Sequence, residues 1–478
     1  MRKGTTNTKE ILEKCPTGIS GLDEITKGGL PKGRPSLVAG GAGCGKTVLA
    51  MEFLVRGAIN YNEPGVFMAF EETEKDLTQN FQSLGFDLKQ LEADNKIRVD
   101  HVYIERSEIE ETGEYDLEGL FVRLNYAIDS IGAKRVVLDT IEALFSGLTS
   151  VGVLRAELRR LFRWLKTKGV TAVITAERGE STLTRYGLEE YVADCVIILD
   201  HRVTEQISTR RMRIVKYRGS SHGMNEYPFL ITEDGVSVLP ITTVGLSYNV
   251  SSDRISTGIH DLDKMFDGKG YYRGSSILVS GTAGTGKSIL AASFAARNCD
   301  SGEKCAYFAF EESVSQILRN MRSVGLNLAK YHKEGTLTFR ASRPSSQGLE
   351  MHLLEMQHLI AKLNPTIVVT DPITNLIASG ARFDVKPMLT RFIDFLKTHN
   401  ITAVFTNLSM PDAQEETDIG ISSLMDTWIM LTNVVSDNRR SRGLSIVKSR
   451  GMNHSSEIKE FTINSKGIIF RDIEDQKW

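Results

Sequence analysis

The chain has 478 residues, of which 41% are hydrophobic and 25% charged, and its formal net charge is −2. Such values are ordinary for a water-soluble globular protein of about two to four domains. The near-zero charge provides no overall field that would attract nucleic acid or an anionic membrane, although it leaves local basic patches open. No stretch approaches the ~18 consecutive apolar residues of a membrane span.

The cysteine content argues against a secreted or zinc-stabilised protein. There are five cysteines, an odd number, and no two of them have C-x-x-C spacing. Neither a disulfide framework nor a zinc site is therefore predicted. The N-terminal segment 1–15 is polar and lacks the apolar core of a secretory signal. We expect reduced thiols and a cytoplasmic protein.

An internal repeat determines the predicted architecture. Five short patterns occur twice in the same order, with only loop-sized changes in their spacing. The first copies lie at 16–23, 40–47, 70–72, 138–139 and 216–219, and the second copies at 255–263, 281–288, 310–312, 370–371 and 448–451. We therefore predict two duplicated domains, 1–247 and 248–478, joined through a short polar stretch at 244–252.

Within the first domain, short apolar runs alternate with helix-like segments. Buried strands are predicted at 36–39, 66–70, 135–138 and 171–175. The segment 153–166 is predicted to be an amphipathic helix, because its leucines at 154, 158, 161 and 165 fall on one face. Buried strands alternating with helices indicate an α/β fold with a mostly parallel sheet covered on both sides. The late segments 195–247 and 428–473 are expected to form antiparallel additions.

The motif G-x-x-x-x-G-K-[ST] follows the first predicted strand of each domain and opens a predicted helix. Its glycines let backbone N–H groups curl around a phosphate, and the helix N-terminus adds partial positive charge. The lysine would neutralise the β- and γ-phosphate oxygens, and the last residue would offer its hydroxyl to Mg²⁺. A glycine-rich turn without a ligand is the alternative, which two copies in context disfavour. The candidate ATP-binding residues are Gly41, Ala42, Gly43, Cys44, Gly45, Lys46 and Thr47, and Thr282, Ala283, Gly284, Thr285, Gly286, Lys287 and Ser288.

Acidic residues follow two further predicted strands in each domain. Asp139 and Asp371 end apolar runs, as a Walker B aspartate does, so we predict that they hold Mg²⁺ through water together with the hydroxyls of Thr47 and Ser288. A strand-end turn or cap is the alternative for each.

The paired glutamates of the repeat also lie at strand ends. In each pair one carboxylate would act as general base for the attacking oxygen, and the other would only orient. An exposed acidic turn is the alternative for the pair. Which member acts is left open. The candidates are Glu71 and Glu72 in the first domain and Glu311 and Glu312 in the second, with Glu312 also a candidate metal ligand.

The complete set of patterns resembles the KaiC family of circadian clock proteins, over about residues 11–469. The resemblance implies two tandem RecA-like P-loop NTPase domains that assemble as a double-ring homohexamer with ATP between subunits. It also implies a slow ATPase in the first domain and an autokinase and autophosphatase in the second. Lys216 with Arg218, and Lys448 with Arg450, match the family residues that reach a neighbour's γ-phosphate, as an arginine finger does. A basic strand edge is the alternative.

The resemblance also implies a pair of autophosphorylated hydroxyl residues in the second domain. The matching segment is 417–423, which ends in Ser422 and Ser423, whereas 188–191 in the first domain has no adjacent hydroxyl pair. Serine pairs are also common helix caps, which is the alternative. A phosphate here would add about −1.5 to −2 charge at a subunit boundary.

Partners are expected from the same resemblance. Family members that keep circadian time carry a longer C-terminal tail, which their activator KaiA binds. Because this sequence stops at Trp478, soon after its last predicted strand, we expect no KaiA-like activator. A KaiB-like protein that docks on the first domain is left open.

Two other classes of function compete with this interpretation. A DNA-dependent ATPase of the RecA or helicase type would need basic loops with aromatic residues for base stacking. The nearest basic cluster, 210–213, lies in a predicted β segment without aromatics and, like its expected echo at 439–440, is interpreted as solvated hairpin charge. A nucleotide-gated scaffold would need no turnover, which the intact glutamate pairs disfavour.

Overall fold

A computed structural model describes residues 12–102, 117–145, 151–179, 183–184, 187, 192–204, 207–240, 251–379, 382–409, 420–436 and 439–471. The chain forms two compact units, 1–241 and 242–478. The predicted junction at 244–252 and the comparison segment at 188–191 fall mainly or wholly outside the described residues.

The first unit is built on a nine-stranded sheet. The strand Pro35–Gly40, which leads into the first P-loop, lies inside the sheet and pairs in parallel with Thr171–Glu177 and Cys195–Thr204. From one edge to the other, the strands are Ile97–His101, Gly65–Ala69, Arg135–Asp139, Thr171–Glu177, Pro35–Gly40, Cys195–Thr204, Ile207–Tyr217, Glu226–Thr232 and Gly235–Val238. The first six run parallel and the last three join them as antiparallel strands.

Helices cover both faces of this sheet, as its apolar strands require. Val38 packs in the core on one face, while Leu37 and Ala39 pack in the core on the other, because successive strand side chains alternate. The predicted amphipathic helix spans Val151–Lys168, and the four leucines expected on its inner face are buried. The helices are Leu22–Ile25, Lys46–Asn60, Glu74–Gln82, Leu88–Ala93, Glu118–Ile131, Ile141–Phe145 and Val151–Lys168.

The second unit repeats this plan with the same strand order. Its nine strands are Leu337–Ala341, Cys305–Ala309, Ile367–Asp371, Thr402–Leu408, Ser276–Gly281, Thr427–Ser436, Arg439–Ser449, Lys459–Asn464 and Gly467–Phe470. Its α-helices are His260–Met265, Lys287–Asp300, Val314–Ser323, Leu328–Glu334, Leu349–Leu363 and Arg382–Thr398, and its 3-10 helices are Pro344–Ser346, Ile373–Ser379 and Ser422–Leu424. A two-stranded sheet precedes the P-loop strand in each unit, Lys14–Cys15 with Leu30–Pro31 and Arg254–Ile255 with Tyr271–Tyr272.

The predicted fold class is confirmed, with one correction to the late segments. Their first strands, Cys195–Thr204 and Thr427–Ser436, pair in parallel with the P-loop strand. Only the strands after them are antiparallel, because a hairpin reverses the chain at each step. No described helix is long and apolar enough to cross a lipid bilayer.

Candidate functional site

The two P-loops have the curled backbone that a phosphate cradle needs. Gly45 and Gly286 have φ angles of 100° and 104°, which favour glycine. A Cβ on Gly45 would also lie 2.5 Å from Ile231 Cδ1, and one on Gly286 would lie 2.8 Å from Ile463 Cδ1. The positive φ angle therefore favours glycine where each loop enters its helix, and a larger residue would also displace the end of an isoleucine side chain.

The helices that follow the P-loops present bare N-termini. Neither Lys46–Asn60 nor Lys287–Asp300 has a side-chain cap or an acidic residue in its first turn. By contrast, Thr73 caps the helix Glu74–Gln82, whose first turn carries two acidic residues. The first N–H groups of an uncapped helix, together with its positive end, form an anion site, so these residues fit a phosphate.

The P-loop lysines lie folded into their own loops. Lys46 Nζ donates to the carbonyls of Gly40 at 2.9 Å and Gly41 at 3.0 Å. Lys287 Nζ donates to the matching carbonyls of Gly281 and Thr282, both at 2.9 Å. Burial lowers the pKa of Lys287, whereas the nearby Asp371 and Glu311 carboxylates raise it. Each ammonium thus lies where a triphosphate would meet the cradle.

Each Walker B aspartate meets the last P-loop residue, as predicted for a magnesium site. Ser288 Oγ donates to Asp371 Oδ1 at 3.2 Å. Tyr307 Oη donates to Asp371 Oδ2 at 2.8 Å, and Thr406 also donates to this carboxylate.

In the first domain Asp139 is bonded by the hydroxyls of Thr47 and Thr175. Burial raises the pKa of Asp139, an effect that these hydrogen bonds and Lys46 oppose. One hydroxyl and one carboxylate fit Mg²⁺, which keeps several waters and binds substrate phosphates. Within the described ranges there is no cluster of three or more His, Cys, Asp or Glu residues that would hold a metal by protein ligands alone.

The glutamates of each pair have different partners. Glu72 accepts a hydrogen bond from Asn80 at 3.4 Å, and Glu71 accepts one from Thr140 at 3.0 Å. In the second domain Glu312 accepts from Asn320 Nδ2 at 2.8 Å. Burial raises the pKa of Glu72 and, in the second domain, of Glu312, and the nearby Walker B aspartate adds to each shift.

A cavity of about 590 Å³ in the second domain brings together predicted residues of the P-loop, the glutamate pair and the strand-end aspartate. This volume lies within the range of small-molecule sites. Its walls include Lys287, Ser288, Glu311, Glu312 and Asp371. Five candidates from three separate sequence patterns therefore meet in one place.

The lysine of each Lys-x-Arg-Gly motif lies away from the P-loop, toward the other end of the strands. In the second domain Gly281 pairs with Leu431, whereas Lys448 pairs with Trp428, beside Leu278. At ~3.3 Å per residue this places Lys448 about 10 Å back along the P-loop strand, toward its amino end. The first domain has the same register, with Lys216 opposite Val196 and Gly40 opposite Leu199.

Ser422 and Ser423 lie at the same amino-end edge as Lys448 and Arg450. They begin the 3-10 helix Ser422–Leu424, with Ser422 half-buried and Ser423 exposed. Lys448 Nζ donates to the Ser422 carbonyl at 2.7 Å, and Arg450 Nη2 to the Ser423 carbonyl at 2.8 Å. In the first domain the guanidinium of Arg218 lies 3.6 Å from the Asp194 carboxylate. Residues 417–419 of the predicted phosphorylation segment lie outside the described residues.

The basic cluster at 210–213 needs a correction. Arg210 is half-buried, its Nε is fully buried, and its charge acts on Cys44 of the P-loop. Its structural counterpart is Arg442, since these residues pair with Phe229 and Phe461 at matching registers, and Arg442 Nε donates to the Gly284 carbonyl at 3.2 Å. Arg210 is therefore not solvated hairpin charge, and 439–440 is not its counterpart.

Several residues of the site were missed by the sequence analysis. They are Thr140, Asn320, Thr175 and Thr406, which hold the carboxylates, and Arg210 and Arg442 beside the P-loops. The arginines could have been found, because each lies the same distance ahead of its Lys-x-Arg-Gly motif.

Comparisons with known proteins agree with this geometry. A family model described as "ATPase: KaiC" matches residues 15–243 and again 255–475. The circadian clock protein KaiC2 of Synechocystis is 56% identical over 97% of this chain and 82% of its own length. The circadian clock oscillator protein KaiC of Parathermosynechococcus lividus is 37% identical over 96% of this chain and 86% of its own length. The oscillator protein KaiC of Synechococcus elongatus is 36% identical over 97% of this chain and 90% of its own length. The predicted resemblance is confirmed, and the chain belongs to the KaiC family of ATPases.

Proposed function

We propose that both domains of this ATPase bind Mg·ATP and that the second transfers the γ-phosphate to Ser422 and Ser423 of an adjacent copy. The observation that carries this proposal is the separation of two half-sites within the second domain. The P-loop, Asp371 and both glutamates line one cavity, while Lys448, Arg450 and the serines lie toward the other end of the strands. A second copy of the chain would bring the halves together, as a homohexamer does.

The chemistry of transfer follows from the charges of these residues. The serine oxygen attacks the γ-phosphorus, the bond to the bridging oxygen of ADP breaks, and the serine proton passes to a carboxylate. We assign Glu311 as that base, because it lies near Lys287, whereas Glu312 is bonded to Asn320. Lys287 with Ser288 and Asp371 would hold the phosphates and Mg²⁺, which neutralises charge that develops on the phosphate oxygens. Lys448 and Arg450 of the adjacent copy would add positive charge in trans.

In the first domain the same arrangement would direct water rather than serine. Glu71 is the proposed base there, and Lys216 and Arg218 are the proposed trans cations. We propose that the phosphorylation state of the second domain makes the protein a timing or signalling switch, as the names of its relatives suggest. A KaiB-like partner on the first domain stays a prediction.

Phosphosite mapping tests the proposal. After incubation with Mg·ATP, mass spectrometry should find phosphate on Ser422 or Ser423. The Lys287→Ala variant should lose it, because the γ-phosphate is no longer held. The matched control Glu71→Gln should keep the phosphoserine while ATP turnover in the first domain falls. Phosphate release without phosphoserine in the unmodified protein would reduce the proposal to ATP hydrolysis.

A further inference from the structure

We propose that Lys448 and Arg450 are positioning residues that decide which of the two serines is phosphorylated, Lys448 acting on Ser422 and Arg450 on Ser423. This inference rests on the proposed function and adds a determinant of site selection to it. It starts from two hydrogen bonds: each cation donates to the backbone carbonyl of a different serine, at 2.7 Å and 2.8 Å. Hydrogen bonds from charged donors are the strong ones, so each bond fixes one peptide group of the turn.

Asp426, which follows the serine turn 422–424, is fixed by several hydrogen bonds. Asp426 accepts hydrogen bonds from both the backbone N–H and the hydroxyl of Ser276, at 2.9 Å each, at the start of the P-loop strand. Lys397 Nζ donates to the same carboxylate at 2.9 Å, and the Arg450 backbone N–H donates to the Asp426 carbonyl at 2.9 Å. The end of the turn is therefore fixed, and the two side-chain bonds set the orientation of the serines that precede it.

The first domain has the same backbone anchor. Its equivalent residue is Asp194, whose carbonyl accepts from the Arg218 backbone N–H at 2.9 Å. The guanidinium of Arg218 also lies 3.6 Å from the Asp194 carboxylate. The anchor is therefore part of the shared fold, and the serine pair is what the second domain adds to it.

The same pairing links the turn to the neighbouring nucleotide. Because the cations and the serines are bonded to each other, any γ-phosphate that the cations approach lies near both hydroxyls. Small changes in the turn then decide which oxygen is aligned for attack, since a misplacement of ~1 Å costs about 100-fold in rate. A cation that acts only on the nucleotide would affect both serines equally.

The test measures the ratio of phosphate on Ser422 to phosphate on Ser423 by mass spectrometry after incubation of the full chain with Mg·ATP. Lys448→Gln should shift the ratio against Ser422, and Arg450→Gln should shift it against Ser423, each by about tenfold. Lys448→Arg should restore much of the ratio, because it keeps a charged donor. Lys330→Gln, which removes an exposed lysine paired with Asp300, should leave the ratio unchanged.

Two outcomes separate the inference from the function on which it rests. If unmodified protein carries phosphoserine but both Gln variants lose it from the two serines in equal proportion, the positioning role is wrong and the kinase stands. If unmodified protein carries none, both fail. Where total phosphate is too low for a ratio, hydrogen exchange of 420–426 in nucleotide-free protein replaces it: faster exchange in Lys448→Gln but not in Lys330→Gln supports the bond, and no change overturns it.

Discussion

The residue that follows the Walker B aspartate differs between the domains. In the first it is Thr140, whose hydroxyl donates to Glu71 at 3.0 Å. In the second it is Pro372, which has no side-chain donor. Glu71 is therefore restrained by its neighbour, whereas Glu311 lacks this bond.

We predict that Glu311→Gln lowers serine phosphorylation by about 100-fold or more, because a base within reach of the reacting proton contributes that much. Glu312→Gln should cost less than about tenfold, because the bond from Asn320 can be kept by an amide oxygen. Initial rates of phosphoserine formation check this, with retained nucleotide measured as the control for binding. Equal losses in the two variants would contradict the assignment.

At the scale of single elements, the strand Arg135–Asp139 begins with a fully buried arginine. The Arg135 guanidinium donates to Glu63 at 2.7 Å and to the carbonyls of Phe53 and Pro16, both at 2.8 Å. It thereby joins the middle of the P-loop helix to the segment that follows the strand Lys14–Cys15. The second domain has Ile367 at the matching position.

Arg135→Met should destabilise the first domain by about 3 kcal/mol, because the change leaves two buried carbonyls and the Glu63 carboxylate without their hydrogen-bond donor. Calorimetry should show the loss in one of the unfolding transitions. Arg123→Met is the matched control, since this arginine is 45% exposed and its ion pair with Asp100 is worth about 1 kcal/mol or less. Similar costs for the two variants would show that Arg135 does not have this role.

Elements with a local sequence signal could be predicted, whereas the neighbours of a strand in the sheet could not. The four core strands and the helix Val151–Lys168 were predicted because apolar runs and spacing are local signals. The direction of Cys195–Thr204 was not, because a β-rich segment does not reveal its neighbour in the sheet.

Within the site, the P-loops and strand-end carboxylates were found from motifs that have a fixed spacing. The bonds from Thr140 and Asn320 and the burial of Arg210 depend on residues that only the folded chain brings together. Spacing could have pointed to Arg210 as a residue, but not to its burial or to these contacts.

At the scale of the whole molecule, the two units carry the same cradle, with the same strand order and the same lysine contacts. Yet the serine pair at 422–423 of the second unit has no equivalent in the comparison segment 188–191 of the first. Duplication thus accounts for the two P-loop sites. The serine pair at 422–423 accounts for the difference between the proposed reactions, hydrolysis in the first domain and serine phosphorylation in the second.

Purified protein should retain about two adenine nucleotides per chain, one at each P-loop. Lys46→Ala and Lys287→Ala should each retain about one, and the double variant close to none, because the cradle cannot hold a triphosphate without its lysine. Acid release and chromatography, normalised to protein, give the count, with Lys330→Gln as the control. A single variant that loses both nucleotides would show that the two sites are not independent.

The distance between the P-loop and Lys448 along one strand gives the proposed ring a direction. Every subunit would receive its cations from one neighbour and lend its own to the other, in a head-to-tail contact that closes on itself. A single damaged subunit therefore has two different effects on its surroundings. Loss of its cations impairs the pocket of the neighbour on one side, whereas loss of Lys287 in its P-loop leaves the serines of the neighbour on the other side without a phosphate donor. The kind of damage would therefore decide which neighbour is affected.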